Sequence, residues 1–333
     1  MLCRSDMENI RPGDMPGPVL TWGVFDGVHL GHSAVVRETM RLARELEGTA
    51  VVMTFVFGEG GKCHPRRLFQ GKAPTFIMSV AHRLLIFERM GVPVCLTRKF
   101  DTAFASLSAA DFFKKELVGR LGVRGIVLGH DASFGRGRQG SIDSLRELGR
   151  DSGVTVRSCE PVLFDGRPVS STMIREAILA GNLDKAGAML GRPVSTLGTV
   201  VKGTGRGRTL GFPTANLDVH NETCLPGGVY GAVVRVLERD PKGRAVLSGN
   251  VREHDALVNI GTCPTFTPTT TGQPAVVEAH ILGFHDDIYG REVEVDYLFR
   301  IRDERRFDGP AQLQAQLEND VALLLDRKKR HIS

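Results

Sequence analysis

Residues 19 to 32 read Val-Leu-Thr-Trp-Gly-Val-Phe-Asp-Gly-Val-His-Leu-Gly-His, and this stretch decides the fold of the first half of the chain. It opens with an apolar run of the length of a buried strand, and apolar residues recur at helical spacing from His32 to Leu46. The loop therefore joins a strand to a helix N-terminus, whose unpaired N–H groups and positive dipole end attract phosphate. His29 and His32 flank Gly31 beside that end. We predict that both imidazoles donate hydrogen bonds to an α-phosphate under attack.

Two other interpretations of this histidine pair stay open. Single histidines are more often exposed or hydrogen-bonded structural side chains than ligands of a phosphate. A zinc site is the second alternative, although the sequence places no third ligand nearby at a recognised spacing. The position of both imidazoles at a strand–helix junction favours phosphate chemistry.

The rest of the first half alternates between strand and helix patterns. Apolar runs predict strands at 49–55, 92–96 and 126–128, and helical patterns lie at 80–90 and 110–121. Such alternation predicts a parallel, doubly wound, Rossmann-like sheet that binds ligands beyond the carboxyl ends of its strands. The basic, glycine-rich stretch 129–140 follows the strand predicted at 126–128, and we expect it at that edge of the sheet.

A serine- and threonine-rich stretch, 170–175, precedes a further helix. We expect Ser171 or Thr172 to cap this helix, and its hydroxyls, N–H groups and Arg175 to hold a triphosphate. The alternative is an ordinary helix cap without a ligand.

Residues 203 to 217 read Gly-Thr-Gly-Arg-Gly-Arg-Thr-Leu-Gly-Phe-Pro-Thr-Ala-Asn-Leu. Glycines let backbone N–H groups approach phosphate oxygens, and arginines add charge-assisted donors. Thr214 and Asn216 follow with neutral oxygens of the kind that Mg²⁺ accepts while it keeps several waters. We interpret the stretch as a nucleotide-handling loop, and the alternative is a glycine-rich turn between two strands.

Near residue 190 the helical spacing gives way to short alternating strands separated by Gly and Pro turns, at 228–236, 256–260, 276–282 and 293–299. These antiparallel strands predict a small barrel, closed by a helix over 311–325. We therefore expect two domains, 1–186 and 187–333. The polar stretch 238–254 is interpreted as a long hairpin loop, and the basic run 327–330 as a solvated tail.

Composition is typical of a globular protein, with 333 residues, 41% hydrophobic and 24% charged residues, and a net charge of +5. Apolar runs stay well short of the roughly 20 residues of a membrane span, and residues before Met15 carry charges rather than an apolar signal core. We expect a cytoplasmic enzyme without membrane or nucleic-acid partners, present as a monomer or transient oligomer. Its net positive charge suits the binding of polyanionic small molecules.

Taken together, these motifs resemble the prokaryotic bifunctional flavin enzymes, in which riboflavin kinase is joined to FMN adenylyltransferase (FAD synthetase). In the first half the likeness is carried by 23–32, 129–140 and 170–175. In the second half it is carried by 191–193, 203–216, 228–230, 259–261, 264–266, 277–278, 289–290 and 302–307. The resemblance implies a nucleotidyltransferase domain followed by a six-stranded barrel.

For the barrel, the resemblance implies that riboflavin is phosphorylated to FMN by ATP. Glu278 would take the proton from the ribityl 5′-hydroxyl, and Thr214 and Asn216 would hold Mg²⁺ and the ATP phosphates. Without the resemblance, Glu278 would be interpreted as a solvent-facing strand residue. Implied phosphate contacts are Gly203, Gly205, Arg208, Gly211, Pro213 and Thr214. Implied flavin contacts are Phe212, Asn259, Arg302, Glu304 and Phe307.

For the first domain, the resemblance implies that the FMN phosphate attacks the α-phosphate of a second ATP and releases pyrophosphate. His29, His32 and Arg175 would stabilise that transfer, which needs no general base because the nucleophile is already charged. Implied ATP contacts are Gly23, Phe25, Asp26, Gly27, Gly31, Asp131, Ser171 and Thr172.

Two departures from the family pattern lie in the first domain. The segment 56–64 is longer than the Thr-Phe-x-Pro-His-Pro pattern that follows the second strand of the family, and Ala132-Ser133 replace a Phe and often an Arg. They leave two alternatives: a riboflavin kinase whose first domain adenylylates poorly, and a non-catalytic flavin-sensing or nucleic-acid-binding protein.

Overall fold

The computed structural model describes residues 1–4, 14–57, 75–203, 211–220, 222–240, 243–246, 251–262 and 275–332. The chain forms two compact units, Met1–Met173 and Ile174–Ser333. Our domain limit after residue 186 stays a prediction. Within the described ranges, no helix is long and apolar enough to cross a membrane.

The first unit is built on a parallel sheet. Its described strands are β1 (Leu2–Arg4), β2 (Val19–Gly23), β3 (Ala50–Val56), β4 (Val94–Lys99), β5 (Gly125–Gly129) and β6 (Thr155–Cys159). They lie in the order β1-β4-β3-β2-β5-β6, and every neighbouring pair is parallel. The four predicted strands are confirmed. The two edge strands were missed because they are short or polar, and an edge strand does not need an apolar side chain at every position.

Helices cover both faces of this sheet, as predicted for a doubly wound fold. Their described bounds are α1 (Leu30–Glu45), α2 (Val80–Arg89), α3 (Thr102–Ala105), α4 (Ala109–Asp111) and α5 (Ile142–Ser152). α1 packs on the face that carries Val19 and Val127. The opposite face, with Leu20 and Met53, is covered by α5 and by Phe112–Leu121. This last stretch is π-helical, so the α-helix predicted at 110–121 is only partly correct.

A short hairpin of β7 (Leu163–Phe164) and β8 (Arg167–Pro168) precedes α6 (Ser171–Leu179) and α7 (Leu183–Leu190). The second unit contains β9 (Val194–Val201), β10 (Ala215–Asp218), β11 (Gly228–Val236), β12 (Glu238–Arg239), β13 (Ala245–Val246), β14 (Glu253–Thr262), β15 (Ala275–Ile281) and β16 (Glu292–Arg302). Six of these close into an antiparallel barrel in the order β10-β15-β14-β11-β16-β9, which confirms the predicted architecture. The expected hairpin loop at 238–254 contains the small β12–β13 pair.

The closing helix, α8 (Pro310–Ile332), runs further than predicted. The basic run 327–330 therefore belongs to the helix and not to a tail after it, while Arg327 and Lys329 are exposed as expected. Arg327 lies 5.0 Å over the ring of Phe299, and the Lys328 ammonium pairs with Asp255. Cations near a helix C-terminus are stabilised by the helix dipole, and no proline or glycine interrupts the run.

An ion-pair network links α1 to the edge strand β6. Arg157 of β6 bonds to Glu38 and Glu45 of α1, and Arg41 bonds to the same two carboxylates at 2.7 Å each. The hydrogen bond from Arg41, followed by that from Arg157, lowers the pKa of Glu38. The hydrogen bond from Arg157 lowers the pKa of Glu45. Carboxylates with a depressed pKa in the folded state stabilise it above their unfolded pKa and lose this contribution as the pH falls.

Arg157→Met is expected to lower the melting temperature by roughly 1–2 °C at pH 7, since exposed ion pairs stabilise weakly. This difference should shrink as the pH falls below the ordinary glutamate value of 4.5 and through the lowered pKa values of the two folded carboxylates, because protonation removes their attraction to Arg157. Thermal unfolding followed at pH 7 and pH 3.5 tests it. Arg37→Met, at an exposed arginine of the same helix, is the control. A difference that stays constant with pH would contradict the network's role.

Candidate active sites

The strand order of the first unit creates a crevice at one edge of the sheet. From β2 the chain adds β3 and β4 on one side, and it then returns to add β5 and β6 on the other side. Loops that follow β2 and β5 therefore leave the sheet in opposite directions, and ligands of open parallel sheets bind at such a switch point. The two loops are 24–29, which was predicted to handle phosphate, and 130–140, which was predicted to lie at this edge of the sheet. Sequence patterns alone did not show that their strands are neighbours.

The two histidines form a stacked pair at the N-terminus of α1. Their ring centroids lie 3.6 Å apart at an interplanar angle of 20°. His29 is the N-cap residue, and its Nδ1 accepts a hydrogen bond from the backbone N–H of His32 at 3.4 Å. A neutral ring that accepts at Nδ1 carries its hydrogen on Nε2, which is the donor a phosphate requires. A Cβ atom at Gly31 would lie 3.2 Å from Cε1 of His29, so a side chain there would crowd the pair.

The loop between β2 and α1 has an unusual backbone. Phe25 and Val28 have φ angles of 51° and 38°, and Gly27 has 82°. Left-handed angles suit glycine, but they are strained for a β-branched residue such as Val28. Strain of this kind persists only where the surrounding contacts hold the loop in place.

Asp26 supplies three of these contacts. Its Oδ1 accepts hydrogen bonds from the backbone N–H groups of Ile77 at 2.8 Å and Met78 at 3.2 Å. Its carbonyl oxygen accepts a bond of 2.9 Å from the Ser171 hydroxyl. The Asp26 side chain, 4% exposed, thus anchors the loop, and its expected contact with ATP stays a prediction.

The start of α6 differs from our expectation. The Ser170 hydroxyl accepts a bond of 3.4 Å from the Met173 N–H, which is the capping geometry. The prediction that Ser171 or Thr172 caps the helix is wrong, because helical conformation begins at Ser171 and the cap is the preceding residue. Thr172 is exposed, whereas Arg175 is only 8% exposed.

The loop after β5 is held by its own residues. Phe134 and Gly140 pair through their backbones, and Phe134 also contacts the edge of Trp22 with ring centroids 5.6 Å apart. The Nε of Arg138 donates to the Ser133 hydroxyl at 2.7 Å, so a guanidinium lies beside one of the two residues that depart from the expected pattern. Asp131 is exposed on this loop.

In the barrel, strand register aligns three predicted side chains. Asn216 of β10 is opposite Glu278 of β15, and Glu278 is opposite Asn259 of β14. Opposite residues of antiparallel strands point to the same face with Cβ atoms about 5 Å apart. A carboxylate therefore lies between two carboxamides in one row, and all three residues are half-buried.

The phosphate-loop residues that the structure describes converge on this row. A Cβ atom at Gly203 would lie 2.1 Å from Nδ2 of Asn216, so this glycine leaves the space that the carboxamide occupies. Nδ1 of His280 bonds to the Pro213 carbonyl at 2.9 Å, and Phe212 lies edge-on to its ring at 5.1 Å. Gly211 has a φ angle of 80°, which suits glycine at the turn.

Several predicted residues lie outside the described residues. They are Gly205 and Arg208, most of the long segment 56–64, and the motif at 264–266.

A cavity of 460 Å³ adjoins Thr214. This volume lies within the range of small-ligand sites. Its lining residues are Val200, Pro213, Thr214, Ala215, Ala279, Ile281, Phe284, His285, Asp286, Asp287, Ile288 and Tyr289.

The predicted flavin segment is tied to the barrel and to α8. Asn259 donates to Oε1 of Glu304 at 3.3 Å. Arg302 binds both carboxylate oxygens of Asp320 of α8, with Nε–Oδ2 at 2.9 Å, and its guanidinium lies 5.7 Å from the ring of Phe307. Asp320 is only 2% exposed, and the sequence did not indicate it, because its partner lies 18 residues away. The contact of Arg302 with flavin stays a prediction, while its ion pair positions the segment.

A parallel sheet with a histidine pair at its switch point and a barrel that carries a carboxylate between two carboxamides define a two-site nucleotide-handling transferase. Residues 12–173 match the family model described as FAD synthetase, and residues 190–326 match that described as riboflavin kinase. The chain belongs to the bifunctional riboflavin kinase/FMN adenylyltransferase family.

Relatives match over almost the whole chain. It is 35% identical to the bifunctional riboflavin kinase/FMN adenylyltransferase of Haemophilus influenzae over 308 residues, which cover 92% of this chain and 93% of that protein. Identity to the protein of that description from Escherichia coli K12 is 34% over 315 residues, 94% of each. A crystal structure described as a macrolide-efflux protein from Streptococcus pneumoniae is similar, with a TM-score of 0.76 and 32% identity over 97% of this chain and 98% of that one.

Gly203→Ala is expected to reduce the rate of FMN formation from riboflavin and ATP about tenfold or more, because its Cβ displaces the Asn216 carboxamide. FMN production is measured chromatographically. Gly309→Ala is the matched control, since a Cβ there meets no atom within 4 Å. Equal rates in the two variants would show that the position of Asn216 is unimportant for the kinase reaction.

Proposed function

We propose that the chain phosphorylates riboflavin to FMN in its barrel domain and converts FMN to FAD in its first domain, using one ATP for each step. The row of Asn216, Glu278 and Asn259 carries the first assignment, and the histidine pair at the sheet's switch point carries the second. Membership of the family supports both. The corresponding domains are 187–333 and 1–186.

In the kinase reaction, Glu278 accepts the proton of the ribityl 5′-hydroxyl. The hydroxyl oxygen then bonds to the γ-phosphorus of ATP, and ADP leaves. The row geometry supports this role, because Asn216 and Asn259 flank the carboxylate from both neighbouring strands. The loop that ends at Thr214 and Asn216 would take the nucleotide phosphates, and the segment that contains Glu304 and Phe307 would take the flavin.

The residues present fit a magnesium ion. The Thr214 hydroxyl and the Asn216 carboxamide are hard oxygen donors of the kind that Mg²⁺ prefers. Gly203 keeps the carboxamide close to the start of the phosphate loop. Bound there, the ion would neutralise charge on the ATP phosphates.

In the adenylyl transfer, an FMN phosphate oxygen bonds to the α-phosphorus of ATP and pyrophosphate leaves. His29 and His32 donate hydrogen bonds to the α-phosphate, whose charge builds up in the transition state. Ser171, Thr172 and Arg175, together with the N–H groups that open α6, would hold the other phosphates. Asp131 and the glycines of the loop after β2 would complete the ATP site.

The first experiment incubates the protein with riboflavin, ATP and Mg²⁺ and follows the flavins over time. FMN that rises and then yields to FAD supports both assignments. FMN without FAD favours the kinase-only alternative, which the long segment 56–64 motivates, and makes that segment and Ala132-Ser133 the first regions to test. We also propose, from the composition, that the enzyme acts in the cytoplasm on small molecules, as a monomer or transient oligomer.

Glu278→Gln is expected to lower the rate of FMN formation by about 10²–10⁴, because the amide cannot accept the proton. FAD formation from added FMN should be unchanged in this variant, which controls for folding. Glu238→Gln, at an exposed glutamate of β12, should behave like the wild type in both assays. Full kinase activity in Glu278→Gln would rule out the base assignment.

The double variant His29→Ala with His32→Ala is expected to lower FAD formation from FMN by about 10²–10³ or more, since both donors to the α-phosphate are lost. FMN formation should be unchanged. The control is His254→Ala. His254 lies in the second unit, where its ring packs on the ring of Phe284. Undiminished FAD formation in the double variant would exclude the pair from the reaction.

A further inference from the structure

The first unit contains a completely buried arginine that the sequence analysis did not indicate. Arg83, on α2, is 0% exposed. Arginine is almost never fully buried unless it is paired, because the desolvation of its charge must be offset by hydrogen bonds. Its contacts therefore indicate what the buried charge is for.

Those contacts join two neighbouring strands at the edge that carries the histidine loop. Nη1 of Arg83 donates to the Val24 carbonyl and, at 3.0 Å, to the Thr54 hydroxyl, while Nη2 donates to the Phe55 carbonyl at 3.4 Å. The Thr54 hydroxyl also donates to the Val24 carbonyl at 3.2 Å. One planar guanidinium thus ties the end of β3 to the first residue after β2.

The residue held in this way begins the strained part of the loop. Val24 directly precedes Phe25, the first left-handed residue, and Val28, the second non-glycine example, directly precedes His29. Strained residues keep their conformation only if the surroundings over-determine it. Arg83 holds the start of the loop, and the backbone N–H groups of Ile77 and Met78 hold Asp26 in its middle. Both anchors come from α2 or the residues that lead into it.

We propose that Arg83 is a positioning residue for adenylyl transfer, which acts by holding the loop that presents His29 and His32 to the α-phosphate. The inference rests on the proposed adenylyltransferase function. Arg83 contacts the loop at the backbone carbonyl of Val24, and it therefore acts through the backbone. A displacement of about 1 Å in a catalytic group is enough to lower a rate by roughly 10²-fold.

Arg83→Lys is the main test, because it keeps the charge and removes the planar fork that reaches three acceptors at once. We expect kcat for FAD formation from FMN to fall by about 30- to 100-fold. KM for ATP and for FMN should stay within about threefold, since the residues that bind them are retained. FMN formation by the same chain should be unchanged.

Two further variants separate positioning from stability. Leu85→Ala removes a side chain of the same helix that is also 0% exposed, and it is expected to lower the melting temperature but to leave kcat within about twofold. Thr54→Val removes the hydroxyl that Arg83 and the Val24 carbonyl share, and it should give an intermediate loss of kcat. If Arg83→Lys folds poorly, Thr54→Val still tests whether the hydrogen bonds at the Val24 carbonyl position the loop.

Deuterium uptake by the peptide covering residues 24–33 gives a readout besides activity. It should rise in Arg83→Lys and stay at the wild-type level in Leu85→Ala. Wild-type kcat in a folded Arg83→Lys, or an equal kcat loss in Leu85→Ala, would overturn the inference while leaving the proposed function standing. If the wild-type protein makes no FAD, the proposed function is wrong. Unchanged deuterium uptake in Arg83→Lys would even then show that Arg83 does not hold the loop.

Discussion

The sharp turn after β2 is the constraint on which the first active site depends. Left-handed conformations at Phe25 and Val28 cost about 1–3 kcal/mol each. Hydrogen bonds that involve a charged group each contribute about 1.5–3 kcal/mol. Asp26 accepts two such bonds and the Arg83 guanidinium makes three, and together these bonds hold the loop in its strained conformation. The turn places His29 as the cap of α1, and this position brings both imidazoles to the positive end of the helix.

The second site depends on strand register rather than on a strained turn. A shift of one residue between β10 and β15 would send Asn216 or Glu278 to the other face of the barrel. Closure of the barrel opposes such a shift, because β10 is paired on both sides, with β15 and with β9. The row of Asn216, Glu278 and Asn259, which we propose to be catalytic, is thus held by backbone hydrogen bonds, which makes its geometry insensitive to exposed side chains.

Buried charges support both sites from a distance. Asp320 of α8 holds Arg302 at the start of the flavin segment, much as Arg83 holds the histidine loop. In each case an arginine fork ties a loop or strand end to a partner from elsewhere in the unit, which suits its planar, multi-donor geometry. Removing one partner would leave the other charge buried and unpaired, which is far more costly than losing a surface ion pair.

The sequence by itself determined the secondary structure of the central strands, because β2, β3 and β5 are buried on both faces and must be apolar throughout. Its short motifs also indicated His29, His32 and Asn216 as candidate site residues, whereas Glu278 became a candidate only through the family resemblance. It missed the edge strands, the cap at Ser170 and the full length of α8, where local patterns are weak or favour a neighbouring residue.

Only the tertiary structure decided which elements are neighbours. That β5 pairs with β2, that Glu278 lies between Asn216 and Asn259, and that Arg83 and Asp320 reach their partners all follow from long-range pairing. Periodicity and turn signals report on contacts a few residues apart. Strand order and register are set by packing and hydrogen bonding between segments that are distant in the chain.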